Sequence, residues 1–518
     1  MNGAHALVAT LEANGVTTWF ANPGTTEMHV VAALDDFPGV RGILCLFEGV
    51  ATGAADGYAR VTGTPAATLL HLGPGLANGW ANLHNARRAR SPLVNVIGDH
   101  ATYHGALDAP LQSDIAAVAS ALEGWVERST RTDDLANDGA KAVHAAYGPP
   151  GRVATLIVPS DVAWDEVTGV PPTWPVLTRE SLNAPDETAL RRALELLATK
   201  RVALFVGGAA VGAEELALAS RIAAVTSCKV VMETFPAITD RGAGAFRPEH
   251  LVYLSEFAIA QLAEFDALLL VGAKEPVGFF AYPHVASRLV PADCEVVSVA
   301  SPGTDVRAAL AYLVDALGAP TLASEAGERV DVPSGELTSR TLAAAIGATM
   351  PEGVIVADES TTGGIHLAGA TRFSPPHRWM TLTGGSIGMG LPVALGAAMA
   401  SGGRVLAVQS DGAMMYTPQA LWTMAREGLD VTVVALSNRS YAVLEMELRR
   451  IHPDHAGAPS QRMLELDHPA IDLRALASSL GVGSVRATTA DELVEALRRS
   501  YATPGPTFIE AVLPGGIN

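Results

Sequence analysis

The chain has 518 residues, enough for about three domains at roughly 150 residues each. Acidic residues number 54 against 35 basic ones, a formal charge of −19, which argues against nucleic acid or an anionic membrane as partner, since both demand clustered Lys and Arg. Hydrophobic residues make up 49% and charged residues only 17%, so the composition fits a large buried core with subunit interfaces and excludes a disordered chain.

Cys45, Cys228 and Cys294 lie far apart and suggest neither a metal-binding pair nor a disulfide framework. With a segment Met1 to Phe20 that lacks a basic stretch, they point to a reduced, cytoplasmic setting. The uncharged run Trp379 to Gly403 has the length of a membrane span. Its first half, from Thr381, reads instead as a strand entering a glycine turn, and only about Gly388 to Met399 reads as helix.

Short apolar runs followed by Gly, Pro or Asn and then a helical stretch recur along the chain. The first block has such runs at Thr17–Ala21, Gly42–Phe47, Ala66–His71, Leu93–Ile97 and Val153–Val158. A proline-bearing segment, Gly169 to Thr188, reads as a linker. A second block carries Val202–Val206, Val230–Met232, Ala267–Val271 and Val296–Val299, and a second linker spans about Pro320 to Gly335. The third block has Val354–Ala357, Val405–Val408, Val431–Leu436 and Phe508–Val512. This alternation predicts α/β domains built on parallel sheets, with ligands beyond the carboxyl ends of the strands.

Four groups stand at those ends. Val405–Val408 leads to Ser410-Asp411-Gly412-Ala413, and Val431–Leu436 leads to Ser437-Asn438-Arg439-Ser440-Tyr441. One helix and one strand separate Asp411 from Asn438, so both reach one sheet edge, where a carboxylate and an amide oxygen suit Mg²⁺. Val354–Ala357 leads to Asp358-Glu359-Ser360-Thr361-Thr362, whose hydroxyls at a helix start suit phosphate oxygens. The dense glycines of Gly384-Gly385-Ser386-Ile387-Gly388 let a ligand approach the backbone. Glu48, emerging from an apolar run into a small-residue helix, is placed for proton transfer. Taken singly, each also reads as a cap or turn residue.

Together, EGVATGAADGYAR from Glu48, HLGPGLAN from His71, the Gly385–Pro392 stretch and Asp411-Gly412 with Asn438 resemble the thiamine-diphosphate-dependent decarboxylase and acetohydroxyacid synthase family. Within it the chain looks like the benzoylformate decarboxylases and the acetolactate-synthase-like large subunits. The resemblance covers essentially the whole chain. It implies three doubly wound parallel-sheet domains: pyrimidine-binding (1–168), middle (186–320) and diphosphate- and Mg-binding (336–518).

The resemblance also implies roles. Asp411, Asn438 and the Ser440 carbonyl would bind Mg²⁺. Thr361, Thr362, Gly412, Ala413 and Tyr441 would hold the diphosphate of thiamine diphosphate. Gly385 would offer its carbonyl to the cofactor's amino group, Ile387 would wedge beneath the cofactor, and Glu48 would bond its pyrimidine nitrogen. Thr25 and His71 would contact substrate, His71 also as a proton relay, and His284 is a displaced candidate for a second substrate histidine. His100, His104 and His366 read more simply as caps or surface lining. The pattern departs at Ser410, Ser437 and Ala413, none of them a metal ligand.

The implied activity is decarboxylation of a 2-oxo acid through ylide and enamine intermediates, with or without carboligation. An acetolactate-forming transferase and a non-catalytic cofactor-binding homologue are the alternatives. A homodimer at minimum and a homotetramer by family habit are implied, because the family builds its site between subunits. Gly207-Gly208-Ala-Ala-Val-Gly212 could be the remnant of an FAD site, the less favoured reading.

Overall fold

The computed structural model describes residues 1–169, 173–325, 327–452 and 458–515. Parts of both linkers, within 170–172 and at 326, lie outside the described residues. The chain divides into two units: Met1–Arg179 with Glu328–Pro375 and Thr381–Asn518, and Glu180–Gly327 with Pro376–Met380.

The first unit opens with a six-stranded sheet. Its strands are β1 (Thr18–Asn22), β2 (Arg41–Leu44), β3 (Ala66–His71), β4 (Leu93–Asp99), β5 (Trp125–Arg128) and β6 (Val153–Pro159). They run parallel in the order β2-β1-β3-β4-β6-β5. The apolar runs become strands because both faces are covered. Trp19, Leu69, Val94, Val96 and Leu156 bury one side, and every residue of β4 and β6 is buried. The order reverses between β1 and β3, and such a switch opens a crevice beyond the strand ends.

The second unit carries β7 (Val202–Val206), β8 (Lys229–Met232), β9 (Thr239–Arg241), β10 (Glu249–His250), β11 (Ala267–Val271) and β12 (Glu295–Ala300). Five of them form a parallel sheet, β10-β8-β7-β11-β12. Alternate residues feed two cores: Leu204, Val206, Leu269 and Val271 on one face, and Ala203, Phe205, Leu268 and Leu270 on the other. In the same unit β9 pairs antiparallel with β14 (His377–Met380), after β13 (Ile355–Glu359) of the first unit.

The remaining strands of the first unit are β15 (Val405–Ser410), β16 (Val431–Ser437), β17 (Gly483–Ala487) and β18 (Thr507–Val512). With β13 they run parallel in the order β13-β15-β16-β18-β17, which repeats the order β1-β3-β4-β6-β5. Three mainly parallel sheets with helices on their faces give the α/β architecture expected from the sequence. Two local readings change: the strand expected from Thr381 ends at Met380, and the helix beyond it is Gly390–Ser401. Among the described residues no helix is long and apolar enough to cross a membrane.

Within the first unit the helices Glu48–Thr62 and Gly390–Ser401 pack almost backbone to backbone. A Cβ on Gly57 would lie 2.2 Å from the Val393 carbonyl oxygen, and one on Gly396 would lie 1.8 Å from that of Ala54. Only glycine allows this approach. It joins the helix that starts at Glu48 to the one that follows the glycine-rich loop.

Candidate active site

The switch point between β1 and β3 is furnished by three short stretches. β1 runs out through Pro23-Gly24 into the turn Thr25–Glu27. Glu27 is fully buried. Its Oε2 accepts the Gly24 amide at 2.7 Å and lies 2.8 Å from His71 Nδ1, and its Oε1 accepts the Thr26 hydroxyl. A Cβ on Gly98 would lie 1.8 Å from Glu27 Oε1, and one on Gly24 would lie 2.3 Å from His71 Nδ1. Those two glycines make room for the pair.

A carboxylate oxygen only accepts, so the imidazole presents its Nδ1 proton to Glu27 and keeps Nε2 for other work. His71 closes β3 and is half-buried, whereas Thr25 is exposed. Sequence reading named His71 and Thr25 but missed Glu27. The one local signal is an acid just after the Asn-Pro-Gly turn. Its burial comes from Gly98, far along the chain.

Glu48 opens the helix after β2 and is buried. Asn78 Nδ2, on the neighbouring helix Leu72–Ala89, donates to Glu48 Oε2 at 3.0 Å. The HLGPGLAN motif therefore supplies both a histidine at its start and, at its end, the amide that holds Glu48.

Further along the same face, helix Leu72–Ala89 grips the glycine-rich loop. Asn85 Nδ2 donates to the Ser386 carbonyl (2.7 Å), Asn82 Nδ2 to that of Gly388 (3.2 Å), and His84 Nε2 meets that of Gly384 (3.2 Å). From the opposite side Glu359, the last residue of β13, accepts the amides of Gly388 (2.7 Å), Met389 (3.2 Å) and Gly390 (2.9 Å). Burial pushes this carboxyl up to about 7, against the three amides, which pull it down. Held in this way, Gly385 sits at φ +73, and Ile387 is half-buried beside it.

At the ends of β15 and β16 the buried Asp411 accepts its neighbour Gly412's amide (2.8 Å) and that of Arg439 (2.6 Å). Burial raises its pKa, opposed by these amides. The half-buried Asn438 accepts the Ser440 amide on Oδ1 at 3.1 Å, and the Ser440 hydroxyl donates to Glu445, leaving the Ser440 carbonyl as the further oxygen. The Tyr441 ring lies over Gly412, where a Cβ would sit 2.5 Å from Cε1, and burial raises its hydroxyl's pKa. Ala413 is buried. Thr361 is exposed at φ +49, and Thr362 is half-buried at the end of β13.

The residues expected at strand ends all lie in the first unit: Thr25, Glu48 and His71 from its N-terminal sheet, and Thr361, Thr362, Gly385, Ile387, Asp411, Gly412, Ala413, Asn438, Ser440 and Tyr441 from its C-terminal one. His284 is exposed at φ +64 in the second unit, which also holds an aromatic group of Phe235, Tyr253, Phe279 and Phe280.

Two family descriptions match the chain. They are the N-terminal thiamine pyrophosphate binding domain over residues 1–119 and the C-terminal thiamine pyrophosphate binding domain over residues 361–511. A protein of Mycobacterium tuberculosis named "Putative acetolactate synthase large subunit IlvX" is 48% identical over 99% of both chains. Benzoylformate decarboxylase of Pseudomonas aeruginosa is 29% identical over 96% of both. A thiamine diphosphate-dependent 4-hydroxybenzoylformate decarboxylase of Rhodococcus jostii RHA1 superposes with a TM-score of 0.84 over 100% of both chains at 24% identity, which shows a shared fold. Matched at both ends by its binding domains and over nearly full length by its members, the chain belongs to the thiamine pyrophosphate enzyme family.

Proposed function

We propose that the protein is a thiamine-diphosphate- and Mg²⁺-dependent 2-oxo-acid decarboxylase. The observation that carries this reading is the imidazole of His71, oriented by the buried Glu27 with Nε2 left free at the switch point. Decarboxylation leaves a carbon that must take up a proton, and an oriented imidazole is suited to give it.

The donors present fit the cofactor. Asp411 and Asn438 end adjacent strands and, with the Ser440 carbonyl, form a set of hard oxygens suited to Mg²⁺. Thr361, Thr362 and Tyr441, with the backbone at Gly412 and Ala413, would take the diphosphate. Bound there, thiamine diphosphate supplies the nucleophilic carbon and the electron sink for loss of carbon dioxide. Glu48, fixed by Asn78, would bond the pyrimidine nitrogen. The Gly385 carbonyl would accept from the amino group, and Ile387 would support the ring. Thr25 and His71 face the substrate, and His71 Nε2 delivers the proton to carbon. His284 would join them only where a second subunit brings its middle domain close.

We read the working unit as a homodimer at minimum and a homotetramer in its complete form. Leu46, Met415, Tyr416 and Leu444 are exposed apolar side chains that flank Glu48, Asp411 and Tyr441 in sequence, as an interface would have them. FAD is no part of this reading, because Gly208 of the middle glycine turn already donates to the Glu233 carboxylate at 2.7 Å. A phosphate there would face a negative charge.

The acetolactate-forming transferase is the second reading, favoured by the 48% identical relative. There a second carbonyl captures the carbon and the proton goes to oxygen. Carbon dioxide release and product analysis over a panel of 2-oxo acids, with thiamine diphosphate and Mg²⁺ added, separates the two. An aldehyde product supports the decarboxylase, and acetolactate from pyruvate the transferase. Glu48→Gln is expected to lower turnover roughly 10²-fold or more. Silence across the panel with cofactor bound overturns both.

A further inference from the structure

The carboxyl ends of β3 and β4 carry more imidazoles than the reaction described above uses. β3 pairs in register with β4, His71 opposite Gly98, so the chain leaving β4 passes beside His71. Two residues on stands His100, and one turn later His104. The rings of His100 and His104 are 5.2 Å apart and tilted by 53°. His100 Nε2 is sealed from solvent and has no hydrogen-bond partner. His71 Nδ1 is engaged by Glu27, so its Nε2 is likewise uncommitted.

We infer that His71, His100 and His104 form a proton relay that refills His71 from solvent after each turnover, His104 at the outer end and His100 between. The inference rests on the decarboxylase reading and extends it to two residues that sequence reading left as caps or surface lining.

The reaction requires such a supply. A 2-oxo acid anion and one proton give an aldehyde and carbon dioxide, so each turnover removes one proton from the protein. His71 breaks its Nε2–H bond as the new C–H bond forms and is left neutral. It then takes a proton from His100, directly or through a bridging water. His100 takes one from His104, and His104 from solvent. Every transfer breaks one N–H or O–H bond and forms one, with no change of oxidation state.

The surroundings suit this use. Burial above all, and then its neighbours His104 and His71, hold the pKa of His100 below the ordinary histidine value. At neutral pH it therefore keeps one N–H to give and one lone pair to receive. Asp99 fixes the backbone at His100, accepting its amide at 2.8 Å, and is itself paired with Arg128. Asp161 pins the next turn through the Thr102 amide (2.9 Å). The charged and titratable groups around the relay are thus Glu27 and His71 from the first two strand ends, Asp99 with Arg128, Asp161, and His104.

Two measurements on the full-length protein test this, and they fail separately. The first needs no substrate. His100 is assigned in an imidazole NMR titration by its loss in His100→Gln, then followed in His104→Gln and His71→Gln. Each should raise the His100 midpoint by removing a positive neighbour. An unmoved midpoint in both overturns the cluster whatever the enzyme does.

The second uses the 2-oxo acid that the wild type turns over. In His100→Phe, and in His100→Asn should the first fold poorly, the first-turnover release of carbon dioxide, kcat/KM and cofactor affinity should persist. Steady-state kcat should fall about tenfold or more, with part restored by added imidazole. An unchanged kcat, or a loss shared by cofactor affinity and not rescued by imidazole, overturns the relay. A wild type silent on every 2-oxo acid overturns the decarboxylase reading and the relay's purpose with it, while the titration still decides the cluster.

Discussion

Arg60→Met is expected to destabilise the protein by about 3–5 kcal/mol, among the largest effects of any single substitution in the first unit. Arg60 and Asp56 stand one turn apart in helix Glu48–Thr62, and both side chains are buried, at 1% and 0% exposure. The guanidinium meets the carboxylate with two bonds, Nε to Oδ1 at 2.9 Å and Nη2 to Oδ2 at 2.6 Å, and Ser91 donates to the same carboxylate. Its remaining donors reach the Thr381 carbonyl (2.8 Å) and the Thr383 hydroxyl (3.1 Å), just before the glycine-rich loop.

The pair itself contributes modestly, since two desolvated charges offset much of their own attraction. The loss comes from what one removal leaves behind, a buried carboxylate with only a hydroxyl to face. Asp56→Asn combined with Arg60→Met should therefore cost less than Arg60→Met alone, a reversal that independent sites do not show. Denaturant unfolding of the four proteins reads this directly. Arg60→Met within about 0.5 kcal/mol of wild type would mean that water reaches Asp56. Thiamine diphosphate affinity should weaken in the same variant, because the loop that carries Gly385 loses its tether.

What could be read from the sequence, and what could not, follows from where each residue's partners lie. Ala66–His71, Val202–Val206 and Ala267–Val271 were legible to the residue, being continuous apolar runs ended by turn formers. The strands Trp125–Arg128 and Gly483–Ala487 were missed, because they end their sheets, are partly exposed and carry charge. The strand His377–Met380 was displaced in the reading to Thr381, because His377 and Arg378 look like a flank when its antiparallel partner at Thr239–Arg241 is unknown.

The site divides in the same way. Glu48, Asp411 and Asn438 each follow an apolar run directly, so the local pattern marks them. Glu27 and Glu359 are buried by residues far along the chain, Gly98 and His71 for one and Gly388 to Gly390 for the other, and no spacing announces that. Asn82 and Asn85 share one helix face at i, i+3, a visible pattern, but the loop that they hold lies about 300 residues away.

Glu359 should make the stability of the protein fall as pH rises from about 4.5 to about 7. Burial lifts its carboxyl from the ordinary 4.5 to about 7. The folded protein then binds a proton in that window which the unfolded chain has released, so raising the pH favours the unfolded chain until both are ionised. A shift of that size corresponds to at most about 3 kcal/mol. Glu359→Gln removes the titration. It also turns an NH₂ group toward amides that need an acceptor, so the variant should be less stable than wild type at pH 8.

The decisive quantity is the difference between the two proteins in denaturant unfolding at pH 5, 6, 7 and 8, since the histidines titrate in both. Wild type should lose more stability across the window than the variant loses. Parallel curves would mean that Glu359 stays ionised well below 7 when folded. The amides of Gly388, Met389 and Gly390, at the start of helix Gly390–Ser401, would then outweigh burial. In that case the loop is gripped by a full negative charge at every working pH. Glu359→Gln should then loosen it equally at pH 5 and pH 8, with thiamine diphosphate affinity falling by the same factor at both.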